Sequence, residues 1–323
     1  MPETDPIPGA TFDPIPRGGT VAVGEALRRW TAVLARAGID GAGGDVRRLV
    51  AAVLEVSAAR LLSEPERILT GVELATLSAC VARRAGREPV SRILGQRNFY
   101  GRTFAISPAT LDPRPDSETL IEAALETARQ EGWGARGGLR ILDVGTGSGC
   151  LLLTLLAELD VATGMGTDIS QAALAVARQN ADRLGLSQRA SWLIADGLET
   201  VPGPFHMVIS NPPYVRTGEI AQLEPEVRKF DPAAALDGGA DGLTLYRAWA
   251  PRLARVVPDG WIVLEVGHDQ ADAVAAIIAN GVGQAVADLR IYADVTGMRR
   301  CVAMRTRAGT HAQKGLGSWP MPR

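Results

Sequence analysis

From residue 139 onward, strand-like and helix-like segments alternate along the chain, and this alternation most constrains the fold. Short apolar runs such as LRILDVG and FHMVIS are typical of buried strands, and stretches such as SQAALAVARQNADRLG are typical of helices. Alternating β and α elements predict a mostly parallel, Rossmann-like α/β sheet with helices on both faces. Two final strands without a helix between them, in DLRIYADVTGMRRCVAMR, predict an antiparallel edge.

The part of the chain before this alternation has a helical pattern. Between about residues 21 and 86, apolar residues recur every three or four positions, as they do on the buried face of a helix. The segment RNFYGRTFAIS then places bulky residues on both sides of a glycine, which predicts a β-hairpin. Another helix begins in PRPDSE, and we expect Asp116 to cap its amino terminus.

We therefore divide the chain into four parts. Residues 1–19 are rich in Pro and Gly, residues 307–323 are similar, and both segments are predicted to be disordered. Residues 20–95 are predicted to form a small helical domain. Residues 96–306 are predicted to form the hairpin followed by the α/β domain.

The composition excludes several classes of protein. With 46% hydrophobic and 22% charged residues among 323, the chain is an ordinary globular protein. A net charge of −2 argues against binding to nucleic acid through bulk positive charge. No apolar run is long enough to span a bilayer. We therefore expect neither direct DNA binding nor association with a membrane.

Cysteine and histidine are too scattered to indicate a metal site or a disulfide framework. The residues concerned are Cys80, Cys150, Cys301, His206, His268 and His311. Their spacing matches no zinc motif, and an odd number of distant thiols suits a reducing compartment. The amino terminus also lacks a signal-peptide pattern. These features predict a cytoplasmic protein that uses no metal.

A glycine-rich loop, DVGTGSG at residues 143–149, leaves a strand and enters a helix. Glycines let the backbone approach a ligand closely and adopt unusual dihedral angles. Because Gly145, Gly147 and Gly149 alternate, the loop departs from the G-x-G-x-x-G spacing of dinucleotide-binding enzymes. Cys150, directly after the loop, is interpreted as a small helix residue rather than a nucleophile.

Acidic residues stand at three consecutive strand ends beside this loop, namely Asp143, Asp168 and Asp196. Ligands of such sheets bind beyond the carboxyl ends of the strands, where a carboxylate can hold ribose hydroxyls. Each aspartate alone would be equally consistent with a helix cap or a strand end. Together they predict an adenosine site, with Asp168 at the ribose and Asp196 at the adenine. Asp143 is expected to orient either the loop or a ligand amine.

The stretch SNPPYV, residues 210–215, ends the fourth strand of the α/β region. Two consecutive prolines have no backbone N–H groups for hydrogen bonds to a neighbouring strand, so the strand must end there. Their fixed dihedral angles also hold neighbouring groups in place. The Asn211 side chain and the Pro212 carbonyl are acceptors for the two hydrogens of one planar NH2 group. Tyr214 offers a flat face to the same group. We therefore interpret this segment as a clamp for an amine or amide nitrogen.

Such a clamp suits methyl transfer to a poorly nucleophilic nitrogen. An amide lone pair is delocalised, so acceptors that polarise the N–H bonds and stabilise the positive charge formed during attack lower the barrier. Holding the nitrogen close to the methyl group and in line with it supplies much of the remaining rate enhancement. No general base is required, because the methylated nitrogen becomes acidic enough to lose its proton to water.

These motifs together resemble one enzyme family. DVGTGSG followed by NPPY resembles the class I S-adenosylmethionine-dependent methyltransferases that modify planar nitrogens. The resemblance narrows to the protein-(glutamine-N5) methyltransferases of peptide chain release factors, from about residue 20 to 305, in EPVSRILGQRNFYG, PRPDSE, ILDVGTGSGC, TDIS, SNPPYV and LDGGADGLTLYR. It implies S-adenosylmethionine as cofactor and release factors as protein partners. The substrate would be the glutamine of a Gly-Gly-Gln motif, which implies a role in translation termination.

The resemblance also implies roles for individual residues. The cofactor-binding residues would be Gly145, Thr146, Gly147, Ser148, Gly149, Asp168, Asp196, Gly197 and Asn211. The substrate glutamine would be held by Asn211, Pro212, Pro213 and Tyr214, with Asn211, Pro212 and Tyr214 acting in catalysis. The helical domain, residues 20–95, would recognise the protein substrate.

Several features leave more than one interpretation. Asp112 stands where the family has a hydrophobic residue, and the segment DVTGMRR departs from the family pattern. The packing of these two loops therefore follows less closely from the resemblance. Arg114 and Glu118 either border the active site or form loop salt bridges. The segment LDGGADG either forms a tight turn or helps to close the site.

Three other functions are compatible with parts of the sequence. An adenine-N6 nucleic-acid methyltransferase would share NPPY and could clamp a flipped adenine, but it predicts a basic cleft. A sister enzyme could methylate a glutamine of a ribosomal protein. A non-catalytic protein could merely bind the cofactor, although an intact clamp argues against this. LGQRNFYG and PRPDSE favour the release factor over adenine.

Overall fold

The computed structural model describes residues 20–133, 138–283 and 286–307. Of the two segments expected to be disordered, residues 1–19 and all of 307–323 except Arg307 lie outside these ranges. Contacts divide the chain into two units. One runs to Gly95 and also includes Glu224–Phe230, and the other comprises Gln96–Leu223 and the chain from Asp231 onward.

The first unit is a bundle of short helices, as predicted. They are α1 (Val23–Arg36), α2 (Ala42–Val53), α3 (Ala58–Ser63), α4 (Gly71–Ala85) and α5 (Val90–Leu94), together with the short helix Pro225–Phe230. Their apolar faces form one core, in which Leu34, Leu49 and Leu77 are completely buried. Helix α4 begins with a reciprocal cap, because the side chains of Thr70 and Glu73 each accept from the other's backbone N–H.

A buried ion pair holds this bundle together. Arg84 Nε donates to Asp45 Oδ2 at 2.6 Å, and Arg84 Nη1 donates to Glu226 Oε1 at 3.0 Å. Asp45 also pairs with the exposed Arg48, but the side chains of Arg84 and Asp45 are only 9% and 8% exposed, so Arg84 is its buried partner. Through Glu226 the same arginine holds Glu224–Phe230 on the bundle. Periodicity could not predict this contact, because its partners are 142 positions apart.

The second unit begins with the predicted hairpin. Strands β1 (Gln96–Phe99) and β2 (Arg102–Ala105) pair antiparallel around Gly101. Gly101 has a φ of 72°, a backbone conformation that glycine adopts without strain. A 3₁₀ turn at Pro115–Ser117 then leads into helix α6 (Glu118–Gln130).

The remaining strands of this unit form one sheet. They are β3 (Arg140–Val144), β4 (Thr163–Asp168), β5 (Ala190–Ile194), β6 (Met207–Ser210), β7 (Gly260–Glu265), β8 (Val286–Ala293) and β9 (Arg299–Thr306). The later helices are α7 (Cys150–Glu158), α8 (Gln171–Arg183), α9 (Pro225–Phe230, in the first unit), α10 (Thr244–Val256) and α11 (Ala271–Val282). The strand order is β5-β4-β3-β6-β7-β9-β8. Strands β3 to β7 pair in parallel and β9 pairs antiparallel with both neighbours, which confirms the predicted fold class.

Two apolar cores lie on opposite faces of the sheet. Ile141 belongs to the core that includes α6 and α7, and the next residue, Leu142, belongs to the core that includes α10 and α11. Successive strand residues face opposite sides, so a sheet covered on both faces needs continuously apolar strands. The fully buried strands MVIS and GWIVLE show this pattern. None of the helices in the described ranges has the length and apolar character needed to cross a bilayer.

The expectation that Asp116 caps α6 is wrong. Within the described residues, no side chain makes a capping hydrogen bond at this helix start. The 3₁₀ turn supplies its own bond, because the Ser117 N–H donates to the Arg114 carbonyl at 3.1 Å. The Asp116 carboxylate instead pairs with Arg300, whose Nη2 lies 3.0 Å away. Attraction between opposite charges therefore prevails over local capping.

Replacing Arg84 with alanine should destabilise the helical unit by up to about 3–5 kcal/mol, because the buried Asp45 carboxylate keeps only the exposed Arg48 as an ion-pair partner. Arg83 provides the matched control, since its side chain is 47% exposed and pairs with Glu88. Arg83→Ala should cost about 1 kcal/mol or less. Urea denaturation of the full chain, followed by circular dichroism, measures both effects. Equal losses in the two variants would contradict a special role for the buried pair.

Candidate active site

A cavity of about 380 Å³ opens at the carboxyl ends of β3, β4, β5 and β6. The predicted site residues on its wall are Gly145, Thr146, Gly147, Ser148, Asp168, Asp196, Gly197, Asn211, Pro212 and Pro213. Gly149 and Tyr214 are not among the residues that line it. Both the size of the cavity and its place at the strand ends are typical of small-molecule sites in parallel sheets.

Left-handed backbone angles shape the glycine loop. Gly145, Gly147 and Gly149 have φ values of 71°, 55° and 79°, which other residues rarely adopt. A Cβ at Gly145 or Gly147 would meet no other protein atom within 4 Å, so both positions leave open space at the cavity wall. A Cβ at Gly149 would lie 3.2 Å from both Ala177 and Trp192. The position of Gly149 therefore favours a role in packing α7 rather than in contacting a ligand.

Asp143 supports the loop from the core side. Thr146 Oγ1 donates to Asp143 Oδ2 at 2.6 Å, and Asp143 is completely buried. Burial raises the pKa of Asp143 to about 7, although hydrogen bonds from Thr146 and from the Leu152 backbone lower it. Asp143 does not line the cavity. Of its two predicted uses, the structure therefore favours orientation of the loop.

Asp168 joins the glycine loop to the end of β4. Its Oδ2 accepts from the Gly147 N–H and its Oδ1 from the Ser170 N–H, both at 2.9 Å. These bonds fix the carboxylate at the cavity wall beside Ile169, which is 68% exposed. A fixed carboxylate next to an exposed apolar side chain suits a ribose and the flat base attached to it.

Asp196 and Gly197 form the next part of the wall. Asp196 is exposed at the end of β5. Gly197 has a φ of 57°, and a Cβ there would lie 2.4 Å from Trp249 Nε1. Only glycine therefore lets the Trp249 indole approach so closely, and Trp249 also lines the cavity.

Asn211 is held by a contact that the sequence did not suggest. Its Nδ2 donates to Ser117 Oγ at 3.1 Å, and both residues line the cavity. Ser117 belongs to the segment PRPDSE, 94 positions earlier in the chain. No group among the described residues is found to donate to Asn211 Oδ1. This arrangement commits the amide nitrogen to the protein and leaves the amide oxygen to accept from a ligand.

Tyr214 is bonded to a buried acid. Its hydroxyl donates to Oε1 of Glu265 at 3.1 Å, and Glu265, the last residue of β7, is 1% exposed. Burial raises the pKa of Glu265 to about 7, while the Ser117 and Tyr214 hydroxyls lower it. Burial also raises the pKa of Tyr214, so its hydroxyl keeps its proton and remains a donor. Stacking of Tyr214 on the substrate nitrogen stays a prediction.

The turn LDGGADG packs against the backbone of this segment. A Cβ at Gly238 would approach Pro213 O and Tyr214 Cα to 2.8 Å, so the contact needs glycine. Gln270 Nε2 donates to the Tyr214 carbonyl at 3.0 Å and supports the same backbone. The segment LDGGADG is therefore a tight turn that braces Pro213 and Tyr214.

Arg114 lines the cavity, whereas Glu118 does not. Arg114 Nη2 lies 2.5 Å from Asp231 Oδ2, and the Asp112 N–H donates to Asp231 Oδ1 at 3.2 Å. Arg114 thus combines its two predicted roles, a loop ion pair and a place at the cavity. Glu118 accepts from the Tyr100 N–H at 3.0 Å and so links α6 to the hairpin.

Cys150 lies at the cavity but does not carry an ionised thiol. Cys150 lines the cavity at the start of α7, but burial raises its pKa to about 12, so the thiol is not ionised at neutral pH. This agrees with its interpretation as a helix residue. Across residues 20–133, 138–283 and 286–307, no three His, Cys, Asp or Glu side chains are placed to hold a metal ion.

Sequence reasoning missed Ser117, Glu265, Gln270 and Trp249. A usable signal existed for Glu265, because the apolar run GWIVLE ends in an acid. Asp168 and Asp196 likewise follow strand-like runs. The other three had no comparable signal. Ser117 resembles an ordinary helix start, and Gln270 and Trp249 resemble ordinary residues of helical segments.

Comparison with known proteins assigns the chain to a family. The profile described as PrmC N-terminal domain matches residues 25–95, and the profile described as methyltransferase small domain matches residues 121–226. The release factor glutamine methyltransferase of Rhodospirillum rubrum is 45% identical over 289 residues, which cover 89% of this chain and 86% of that protein. The chain belongs to the release factor glutamine methyltransferase family.

Two further matches are with a curated relative and with a solved structure. The release factor glutamine methyltransferase of Cereibacter sphaeroides is 42% identical over 285 residues, which cover 88% of this chain and 98% of that protein. Among solved structures, a methyltransferase from Pyrococcus furiosus has 16% identity and a TM-score of 0.46, and the match covers 65% of this chain and 91% of that one.

The enzyme is an S-adenosylmethionine-dependent methyltransferase, and its cavity fits this cofactor. Gly145 and Gly147 leave open space where a Cβ would otherwise project. The Asp168 carboxylate is fixed where it would hold the ribose hydroxyls. Ile169 and Trp249 add apolar side chains to the cavity wall. The individual assignments of these residues to parts of the cofactor are proposals.

The buried Asp143 predicts that stability depends on pH. Because its pKa rises from 3.8 to about 7 on folding, the folded enzyme keeps a proton that the unfolded chain loses. The Asp143 contribution to the free energy of unfolding should therefore be fully present below about pH 4 and be lost as pH rises to about 7. The total loss should be on the order of 4 kcal/mol.

Urea denaturation of wild type and Asp143→Asn across about pH 5 to 8 measures this contribution. The stability of wild type minus that of the variant should fall up to about pH 7 and then level off, because other titrations cancel in the difference. Asp160→Asn, which changes an exposed aspartate, is the control and should give a constant difference. A constant difference for Asp143→Asn would show that its carboxyl group does not titrate in this range.

Proposed function

We propose that the enzyme transfers a methyl group from S-adenosylmethionine to the side-chain amide nitrogen of the glutamine in the Gly-Gly-Gln motif of peptide chain release factors. Methylation there would support translation termination. The observation that carries this proposal is the orientation of Asn211, whose nitrogen is bonded to Ser117 and whose oxygen is left for a ligand. Asn211 shares its cavity with the glycine loop and Asp168. The names of the relatives supply the substrate class.

The proposed chemistry depends on how the chain holds the glutamine. When bound, S-adenosylmethionine supplies an electrophilic methyl group on a positively charged sulfur. Asn211 Oδ1 and the Pro212 carbonyl would accept the two N–H groups of the glutamine amide, which aims its nitrogen and stabilises the positive charge formed there. As the nitrogen–methyl bond forms, the methyl–sulfur bond would break and S-adenosylhomocysteine would leave. The methylated nitrogen would then be acidic and would lose one proton to water without a side-chain base.

The helical unit would recognise the release factor. A single glutamine side chain provides too little binding energy to select one protein among many. The N-terminal domain profile of the family covers residues 25–95 of this unit. Its surface includes the exposed arginines Arg28 and Arg47, which are available to a partner. Because release factors act on the ribosome, we infer that the enzyme works in the cytoplasm.

The alternatives from the sequence have less support. An adenine-N6 methyltransferase and a methyltransferase of ribosomal protein would use the same clamp, but four curated relatives that are 41–45% identical over at least 81% of this chain are all named release factor glutamine methyltransferase. A protein that only binds the cofactor would have no use for Asn211 held with its oxygen toward a ligand.

A labelling experiment tests the proposed substrate. Pure enzyme incubated with radiolabelled S-adenosylmethionine and a recombinant release factor should place the label on the glutamine of the Gly-Gly-Gln peptide, as located by mass spectrometry. A release factor with Gln→Ala in that motif should stay unlabelled. Ribosomal proteins and DNA serve as parallel substrates. Label on either of these, with none on the release factor, would refute the proposal.

Asn211→Ala should lower kcat for the release factor by roughly 10²–10³, because one preorganised acceptor for the developing charge is lost. Asn98→Ala is the matched control, since Asn98 is an exposed asparagine of the hairpin. It should retain the activity of wild type. Steady-state kinetics with the intact release factor measure both variants. Equal activity of Asn211→Ala and Asn98→Ala would remove Asn211 from the reaction.

A further inference from the structure

We propose that Ser117 and Glu265 are positioning residues, which fix the end of the Asn211 amide that faces the substrate nitrogen. This inference rests on the proposed function, because it concerns the acceptor for the substrate NH2 group. Neither residue needs to touch the substrate, since both would act through Asn211.

The three side chains lead from the cavity into the core. Asn211 Nδ2 donates to Ser117 Oγ at 3.1 Å, and Ser117 and Glu265 are 3% and 1% exposed. The Ser117 hydroxyl lowers the pKa of Glu265, whose Oε1 accepts from the Tyr214 hydroxyl at 3.1 Å. A single carboxylate would then support both ends of the Asn-Pro-Pro-Tyr segment, Tyr214 directly and Asn211 through Ser117.

The direction of each hydrogen bond follows from counting hydrogens. An ionised carboxylate can only accept, and a serine hydroxyl has one hydrogen to donate. Glu265 Oε2 is buried with no hydrogen-bond partner among the described residues, so it is available to accept the Ser117 hydrogen. The Ser117 oxygen then has only a lone pair left for Asn211, and of the two ends of the Asn211 amide only Nδ2 can donate to it. While Glu265 is ionised, Asn211 Oδ1 therefore faces the cavity.

The opposite orientation would block the reaction. If the Asn211 amide were reversed, Nδ2 would face the N–H groups of the substrate, and donor would oppose donor. The charges around Glu265 bear on this choice, because Arg300 favours its ionised form and Asp116 opposes it. A buried acid is a costly way to fill a core position, and a polar network there is expected where one orientation must be specified.

Glu265→Gln gives the sharpest test, because glutamine keeps the size of the side chain and adds a donor. Its amide oxygen still accepts from Tyr214, but its nitrogen can donate to Ser117 and so allow Asn211 to reverse. We expect kcat to fall by about 10-fold, the equivalent of one hydrogen bond. Ser117→Ala, which removes the contact altogether, should give a similar loss. The dissociation constant for S-adenosylhomocysteine should stay unchanged in both variants.

A double-mutant cycle separates positioning from a merely structural role. In the Asn211→Ala background, Ser117→Ala and Glu265→Gln should cause no further loss of kcat, because there is no amide left to orient. Calorimetry provides a readout without turnover. The affinity for a Gly-Gly-Gln peptide, measured with S-adenosylhomocysteine present, should fall in both single variants by about the factor seen in kcat.

Thr127→Val is the matched control, because it removes a buried hydroxyl from α6, the helix that follows Ser117; this hydroxyl donates to the Ala124 carbonyl. It should leave kcat and peptide affinity unchanged. Thermal unfolding of every variant shows whether it is folded. If Ser117→Ala and Glu265→Gln lower kcat equally with and without Asn211, or lower it not at all, the positioning role is wrong. If wild type methylates no release factor, the proposed function fails instead.

Discussion

The parallel pairing of β3 with β6 is the interaction on which the site depends. Leu142 lies beside Val208 and Asp143 beside Ile209, so the two strands end at the same edge of the sheet. The glycine loop that follows β3 therefore lies next to the Asn-Pro-Pro-Tyr segment that follows β6. Strand β4, paired with the other side of β3, brings Asp168 to the same edge. Sheet order alone thus assembles one cavity wall from distant parts of the chain.

Two buried acids hold the loops at this edge, and both lower stability. Burial raises the pKa of Asp143 and of Glu265 to about 7, so each carboxylate opposes folding near neutral pH. An apolar side chain at either position would avoid that cost. Each acid, however, accepts from a hydroxyl of a neighbouring loop, Thr146 in one case and Tyr214 in the other. The enzyme therefore gives up some stability for fixed loop geometry.

Local patterns predicted most of the fold, because periodicity depends only on neighbouring residues. The cofactor side of the cavity was also predictable, since strand-end acids and a glycine loop follow a general rule of parallel sheets. Contacts between distant segments were not predictable, and they include Ser117 with Asn211 and Arg84 with Glu226. Asp116 was misread because local capping rules ignore charges that packing brings near. Sequence periodicity specifies elements, whereas these polar contacts depend on how the elements pack.

The proposed clamp of Asn211 and Pro212 would not distinguish between molecules that carry a planar nitrogen. An adenine amino group and a glutamine amide both offer two coplanar N–H donors, so Asn211 and Pro212 would accept either one. PRPDSE separates the two enzyme classes by sequence, yet its Ser117 contacts Asn211 and so acts on the shared chemistry. Support of Asn211 would raise the reactivity of either nitrogen alike. Selection of a glutamine must therefore come from residues that contact the rest of the substrate rather than its nitrogen.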